Sequence, residues 1–212
     1  MHLKNPIILI TRKLPEKIEK TLKQNFNLIL NKTDKKLSYK DLKKKIDNVD
    51  ILIPCVSDTI DASIIKSGKK LKLIANFGNG VDNLDLVTAK EQNVLVTNTP
   101  DVLTEDTADL VLTLILMISR KVIDAQKELV EGNWTGWGPS KTIGQRIKGK
   151  KVGIIGMGRI GCAVAQRLQI LGVEIYYHNR RRLKKNVEKK YKAKYFHDLD
   201  YMIAQSDIIS IH

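Results

Sequence analysis

Short apolar runs separated by polar, helix-patterned stretches organise the first hundred residues of the chain. "PIILI" (6–10), "NLIL" (27–30), "DILIPC" (50–55), "LKLIANF" (71–77) and "NVLVTN" (93–98) have the length and branched apolar content of buried strands. Between them Pro15 opens a helix through about Lys23, and amphipathic stretches cover 39–46, 61–68 and 84–91. Strands that alternate with helices pair in parallel through crossover connections, which predicts an open α/β sheet.

The pattern changes at 99–132, "TPDVLTEDTADLVLTLILMISRKVIDAQKELVEG". Thr104 stands where it can cap a helix, and Glu105 and Asp106 place negative charge where the helix dipole favours it. Beyond that turn the segment is apolar on nearly every side, which predicts one long helix, closed by Gly132 and buried all round, between domains or against a second subunit. The following loop, "GNWTGWGPS" (132–140), carries two tryptophans, expected to anchor it on the core.

A second α/β unit starts at 149 with the strand "GKKVGII" (149–155) and the turn "GMGRIG" (156–161). Ile160, Ala163, Val164, Leu168 and Leu171 then share one helix face, Gly172 ends that helix, and "VEIYY" (173–177) is the next strand. A basic linker leads to a short strand near "KYF" (194–196), a helix around 198–204, and "DIISIH" (207–212), which has the pattern of a buried strand.

The order strand, Gly156-x-Gly158-x-x-Gly161, helix, strand is the context in which a glycine triplet signals a dinucleotide site. Gly156 permits the tight turn, Gly158 lets backbone approach a diphosphate, and Gly161 lets the helix pack closely on the strand. The diphosphate then meets the N–H groups and positive dipole end of the helix. Such sites place an acidic residue at the end of the second strand, where it contacts the adenosine ribose. Here that slot, 18 positions past Gly161 (179 − 161), holds Asn179, followed by Arg180 and Arg181. Asparagine removes the repulsion that an acid exerts on a 2′-phosphate, and arginines meet phosphate through forked, charged contacts. The stretch therefore predicts NADP in preference to NAD.

Composition narrows the remaining classes. With 42% hydrophobic and 28% charged residues among 212, the chain is globular in type. Its longest apolar run, "LVLTLILMI" (110–118), falls well short of the roughly 20 residues of a membrane span. No membrane association is expected, and a cytoplasmic location is. The net charge of +14 raises the question of nucleic acid, and 180–194 holds nine basic residues against one acidic. The other lysines are dispersed as short doublets and no nucleic-acid module is recognisable, so solvated lysine faces are expected and no nucleic-acid partner. Two cysteines, Cys55 and Cys162, in unrelated contexts suggest neither a disulfide framework nor a metal site.

"ANFGNGVDNLDL" (75–86), "TNTPDVLTEDTADLVLTLILMISR" (97–120), "GWGP" (136–139) and "GKKVGIIGMGRIGCAVAQR" (149–167) together resemble the D-isomer-specific 2-hydroxyacid dehydrogenases. The likeness is nearest to the glyoxylate/hydroxypyruvate reductase branch and covers nearly the whole chain. It implies an α/β protein with a flavodoxin-like substrate domain over 1–98 and a Rossmann dinucleotide-binding domain over 99–212. It also implies a homodimer built on the helix over 104–130, and hydride transfer between a nicotinamide and a small 2-keto acid. Carried over by position, backbone at Asn79 and Gly80 holds the substrate carboxylate, and Cys55 and Val56 line the substrate pocket. Thr107 lies near the cofactor, and Gly158, Arg159, Ile160 and Gly161 bind the diphosphate; Asn179, Arg180 and Arg181 bind the adenosine ribose and its phosphate.

The family's catalytic arginine, glutamate and histidine lie beyond the fourth Rossmann strand, whereas this sequence stops at His212. His2, His178, His197 and His212 match none of them, so no catalytic residue is assigned, and a C-terminally truncated Rossmann domain is expected. The alternative is a nucleotide-sensing binding module that keeps the fold without the chemistry.

Overall fold

A computed structural model describes residues 5–212, which leaves His2 outside the described residues. The chain divides into two compact units, Met1–Val102 and Leu103–His212, each built on its own parallel sheet.

In the first unit the strands are β1 (Ile7–Ile10), β2 (Asn27–Leu30), β3 (Ile51–Ile53), β4 (Leu73–Ala75) and β5 (Leu95–Thr97). They pair in parallel in the order β2-β1-β3-β4-β5, the flavodoxin-like winding. The crossovers are α1 (Glu16–Asn25), α2 (Tyr39–Lys45), α3 (Ala62–Ser67) and α4 (Leu86–Glu91). Each of the last three starts where an oxygen-bearing side chain caps it: Ser38 accepts from the Asp41 amide, Asp61 from Ile64, and Asp85 from Thr88. Strand residues Leu9, Leu52 and Ile74 pack with Leu42, Ile46, Ile60, Ile64 and Ile65 into one core.

The second unit begins with α5 (Thr104–Ser119) and α6 (Val122–Val130). Its sheet comprises β6 (Lys151–Ile155), β7 (Glu174–His178), β8 (Ala193–Tyr195) and β9 (Ile208–Ile211), in the order β8-β7-β6-β9. That is the winding 3-2-1-4 of a Rossmann sheet. Helices α7 (Arg159–Ile170), α8 (Lys185–Tyr191) and α9 (Leu199–Gln205) make the crossovers. Ala108 and Ile115 of α5 share a core with Val152, Ile154, Val164, Leu168, Ile175 and Tyr177. Arg167 of α7 clamps α5 beside it, its guanidinium donating to Asp109 (2.6 Å) and Glu105 (2.8 Å).

Several expectations change. The segment 104–130 is two helices: Lys121 adopts a left-handed conformation (φ 52°), and the Gln145 amide takes the Ser119 carbonyl (2.6 Å) that a continuing helix would use. Thr104 is the first helical residue, with Leu103 in the cap position and no side-chain cap bond. Within this chain α5 buries Ala108 and Ile115 and leaves Leu110, Leu114 and Ile118 exposed, Ile118 at 77%. The tryptophan loop likewise leaves Trp137 87% exposed, so it is not an anchor on this chain's core. Finally, the basic stretch contains a helix, α8, and β9 leaves Ile211 75% exposed.

Candidate functional site

Each glycine of the turn after β6 has its own physical reason. Gly156 sits at φ +91°, and an added Cβ would run into the His212 carbonyl oxygen. At Gly161 a Cβ would come within 2.7 Å of the Gly156 carbonyl oxygen and 3.2 Å of Ile154. That closeness is what packs α7 onto β6. Gly158 differs: nothing lies within 4 Å of the place its Cβ would occupy. The space above it is open, at the N-terminus of the 12-residue α7, where backbone amides and dipole favour an anion. Arg159 and Ile160 form the first turn of that helix.

Beside this turn lies a cavity of about 700 Å3 lined by Ile155, Gly156, His178, Asn179, Arg180 and Arg181. The Asn179 side chain is bound to the turn itself, its Oδ1 accepting from the Met157 amide at 2.6 Å. Arg180 and Arg181 are exposed, and among the described residues no carboxylate pairs with either. Arg182 is committed elsewhere: its guanidinium grips Glu188 with two hydrogen bonds, 2.7 and 2.9 Å, and lies over the Tyr195 ring. The three consecutive arginines thus divide, two lining the cavity and one paired with Glu188.

Glu188 also accepts from the Tyr177 hydroxyl at 2.6 Å. The Arg182 fork, then that hydroxyl, hold the Glu188 carboxyl down at about 2. Burial, reinforced by the bond to Glu188, pushes Tyr177 up to about 12. A carboxyl whose folded pKa lies below its ordinary 4.5 stabilises the fold fully above that value and loses the contribution as pH falls toward 2. Chemical denaturation of the chain across this acid window is expected to show a loss of stability that the Glu188→Gln variant lacks. Equal slopes in the two proteins would contradict the assignment.

In the first unit the strand ends carry a polar network. Asp58, 3% exposed, accepts from the Thr11 hydroxyl and from the Cys55 amide (2.9 Å), which fixes the turn after β3. Asn76 and Asn83 exchange hydrogen bonds at 3.2 Å, and Asn83 donates to the Cys55 carbonyl (3.3 Å). Three successive carbonyls of the loop after β4 are tied down: Gly78 by the Thr99 amide (3.0 Å), Asn79 by the Asn98 side chain (2.7 Å), Gly80 by the Asn76 side chain (2.8 Å). A trans peptide puts the next residue's N–H on the side opposite its carbonyl. The amides of Asn79, Gly80 and Val81 therefore turn away from these bonds. A Cβ at Gly78 would collide with Val56, so the Cys55–Val56 turn and the glycine loop are packed together. Both lie at the carboxyl ends of parallel strands, the first after β3, which borders the β1/β3 switch point where open α/β sheets bind ligands.

The structure thus joins Cys55, Val56, Asn79 and Gly80 in one network, and Gly156, Asn179, Arg180 and Arg181 around one cavity. Thr107 lies in the first turn of α5, its amide bonded to the Leu103 carbonyl (3.0 Å), and no bond draws it to that cavity. Burial lowers the pKa of His212, and its ring contacts the Ser210 hydroxyl at 2.9 Å. Among the described residues no three His, Cys, Asp or Glu side chains gather as a metal site, and no helix is long and apolar enough to cross a membrane. The inward roles of Asp58, Asn76, Asn83, Arg182 and Glu188 escape the sequence reading. Only Asn76, a polar residue inside the apolar run "LKLIANF", leaves a trace there.

Residues 112–212 match the family model of the D-isomer specific 2-hydroxyacid dehydrogenase NAD binding domain. This part of the chain belongs to the D-isomer-specific 2-hydroxyacid dehydrogenases. A glyoxylate reductase of Thermococcus onnurineus is 38% identical over 208 residues, which cover 96% of this chain and 62% of that relative. The crystal structure of a putative D-isomer specific 2-hydroxyacid dehydrogenase from a Polaromonas species superposes with a TM-score of 0.87 at 33% identity, over 98% of this chain and 65% of that one. A glyoxylate reductase from Paecilomyes thermophila gives a TM-score of 0.79 at 27% identity, over 99% and 65%. The chain thus spans less than two thirds of the length of these 2-hydroxyacid dehydrogenases. Its second unit suits the nicotinamide dinucleotide of such a domain: the space over Gly158 is open, a helix terminus faces it, and the adjoining cavity ends in two arginines.

Proposed function

We propose that this chain is the substrate- and cofactor-binding portion of an NAD(P)-dependent D-2-hydroxyacid dehydrogenase, an oxidoreductase acting on CH–OH, with glyoxylate- or hydroxypyruvate-type 2-keto acids as substrates. The observation that carries the reading is that one chain holds both a dinucleotide turn and a second α/β unit whose glycine loop has three successive carbonyls tied down beside the Cys55–Val56 turn. The dinucleotide, when bound, supplies or accepts the hydride.

The chain's own residues bind and orient. Gly158, Arg159, Ile160 and Gly161 receive the diphosphate, with Thr107 at the cofactor's edge. Asn179 fixes the turn and borders the ribose, while Arg180 and Arg181 meet a 2′-phosphate, so NADP is preferred over NAD. The amides at Asn79 and Gly80 take the substrate carboxylate, a role suited to a nest of backbone N–H groups. Cys55 and Val56 bound the carbon chain. The exposed apolar residues of α5 and α6 supply the surface on which a second copy pairs, a homodimer now resting on two helices instead of one.

The test is a glyoxylate titration of the chain followed through backbone amide resonances. The reading expects the amides of Asn79, Gly80 and Val81 to move together with those of Cys55 and Val56. Shifts that leave both loops untouched contradict it.

A further inference from the structure

Arg180 and Arg181 occupy an exposed stretch between β7 and α8, where two long side chains would ordinarily sample many rotamers and lose that freedom on binding. The structure surrounds them with fastenings. On the near side Asn179 is held twice, its side chain by the Met157 amide (2.6 Å) and its carbonyl by the Tyr195 hydroxyl (3.5 Å). On the far side Arg182 forks onto Glu188, and the Leu183 amide donates to the Tyr177 hydroxyl at 3.1 Å. Tyr177 is fully buried, and its hydroxyl both accepts from Leu183 and donates to Glu188. Its ring packs 5.2 Å from that of Tyr195, over which Arg182 also lies. One cluster thus reaches both ends of the arch, and the two residues between the fastenings are the two arginines that line the cavity.

We infer that Tyr177, Arg182 and Glu188 form a brace that sets Arg180 and Arg181 in place for a 2′-phosphate, making them positioning residues for cofactor selectivity. The inference rests on the NADP reading above. None of the three residues of the brace lines the cavity. Its contribution is to hold the backbone of the arch, so that binding has to order the two phosphate-facing side chains but not the backbone that carries them. A purely structural cluster would instead support the binding of any dinucleotide equally.

The experiment compares NADPH and NADH affinities, by fluorescence titration, of the 212-residue chain and its Tyr177→Phe and Arg182→Lys variants. Tyr177→Phe keeps the buried ring and removes one hydroxyl, and Arg182→Lys keeps the charge but loses the fork. Both variants are expected to bind NADPH about fivefold more weakly with NADH within about twofold, a cost near 1 kcal/mol. Adding Glu188→Asp to Arg182→Lys, which shortens the carboxylate arm, is expected to restore nothing, because the fork is already gone. Variants that keep the wild-type preference overturn the brace while leaving the NADP reading intact. Variants that lose NADH and NADPH affinity alike, or unfold, overturn it too, since that is what a structural cluster would do. A wild-type chain that binds the two cofactors equally overturns the NADP reading itself, and the brace falls with it.

Discussion

Replacing Arg180 and Arg181 together by alanine is expected to weaken NADPH binding by about thirtyfold, and NADH binding by no more than about twofold. A hydrogen bond to a charged group is worth about 1.5–3 kcal/mol when shielded. Both arginines are exposed, so screening by solvent and salt reduces each contact to about 1 kcal/mol. Two such contacts, about 2 kcal/mol, give the thirtyfold change. Rising ionic strength should narrow the difference, because the lost terms are electrostatic. Isothermal titration of the double variant with each cofactor measures it, and equal losses for both would refute the 2′-phosphate role.

The second large effect separates two glycines two residues apart. Gly156→Ala is expected to destabilise the second unit by at least about 3 kcal/mol, because it forces an L-residue to φ +91° and drives Cβ into the His212 carbonyl. Against a total stability of about 5–15 kcal/mol for a domain, that lowers the melting temperature by many degrees. Gly158→Ala should change stability by less than about 0.5 kcal/mol, since its Cβ meets nothing within 4 Å. It should nonetheless abolish dinucleotide binding, because the methyl stands where the diphosphate approaches. Thermal melts with and without NADPH distinguish the pair. A Gly158→Ala chain that is still stabilised by NADPH would sink the role given to that glycine.

The fold was legible wherever one local signal decides it. The inner strands β1, β3 and β4 of the first unit announce themselves as Ile- and Leu-rich runs, because a parallel sheet is covered on both faces. The kink at Lys121 was hidden because neither glycine nor proline marks it; the left-handed residue is a lysine, and the group that takes the Ser119 carbonyl is Gln145. Helix α8 was hidden because its seven residues, "KNVEKKY", show little apolar face, and its fold is read from tertiary bonds of Glu188 and not from periodicity. What covers the apolar faces of α5 and α6 was not legible for a different reason. Periodicity reports that a face is apolar, and says nothing of what covers it.

At the candidate site the same division holds. The glycine triplet could be assigned residue by residue, since each glycine answers a constraint set by its immediate neighbours. Asn179 fell in the ribose slot by counting, but its bond to the Met157 amide depends on how β7 lies beside the turn. Three arginines in a row look equivalent as letters. Only the position of Glu188, six residues past Arg182 on a helix, shows that the third braces the other two.

The central claim is that the cavity beside Gly156 is built for an adenosine ribose bearing a 2′-phosphate. The most direct measurement is competition between 2′,5′-ADP and 5′-AMP for the chain at fixed ionic strength, which isolates the phosphate from the rest of the cofactor. 2′,5′-ADP is expected to bind at least about tenfold more tightly. Equal affinity, or a preference for 5′-AMP, would contradict it.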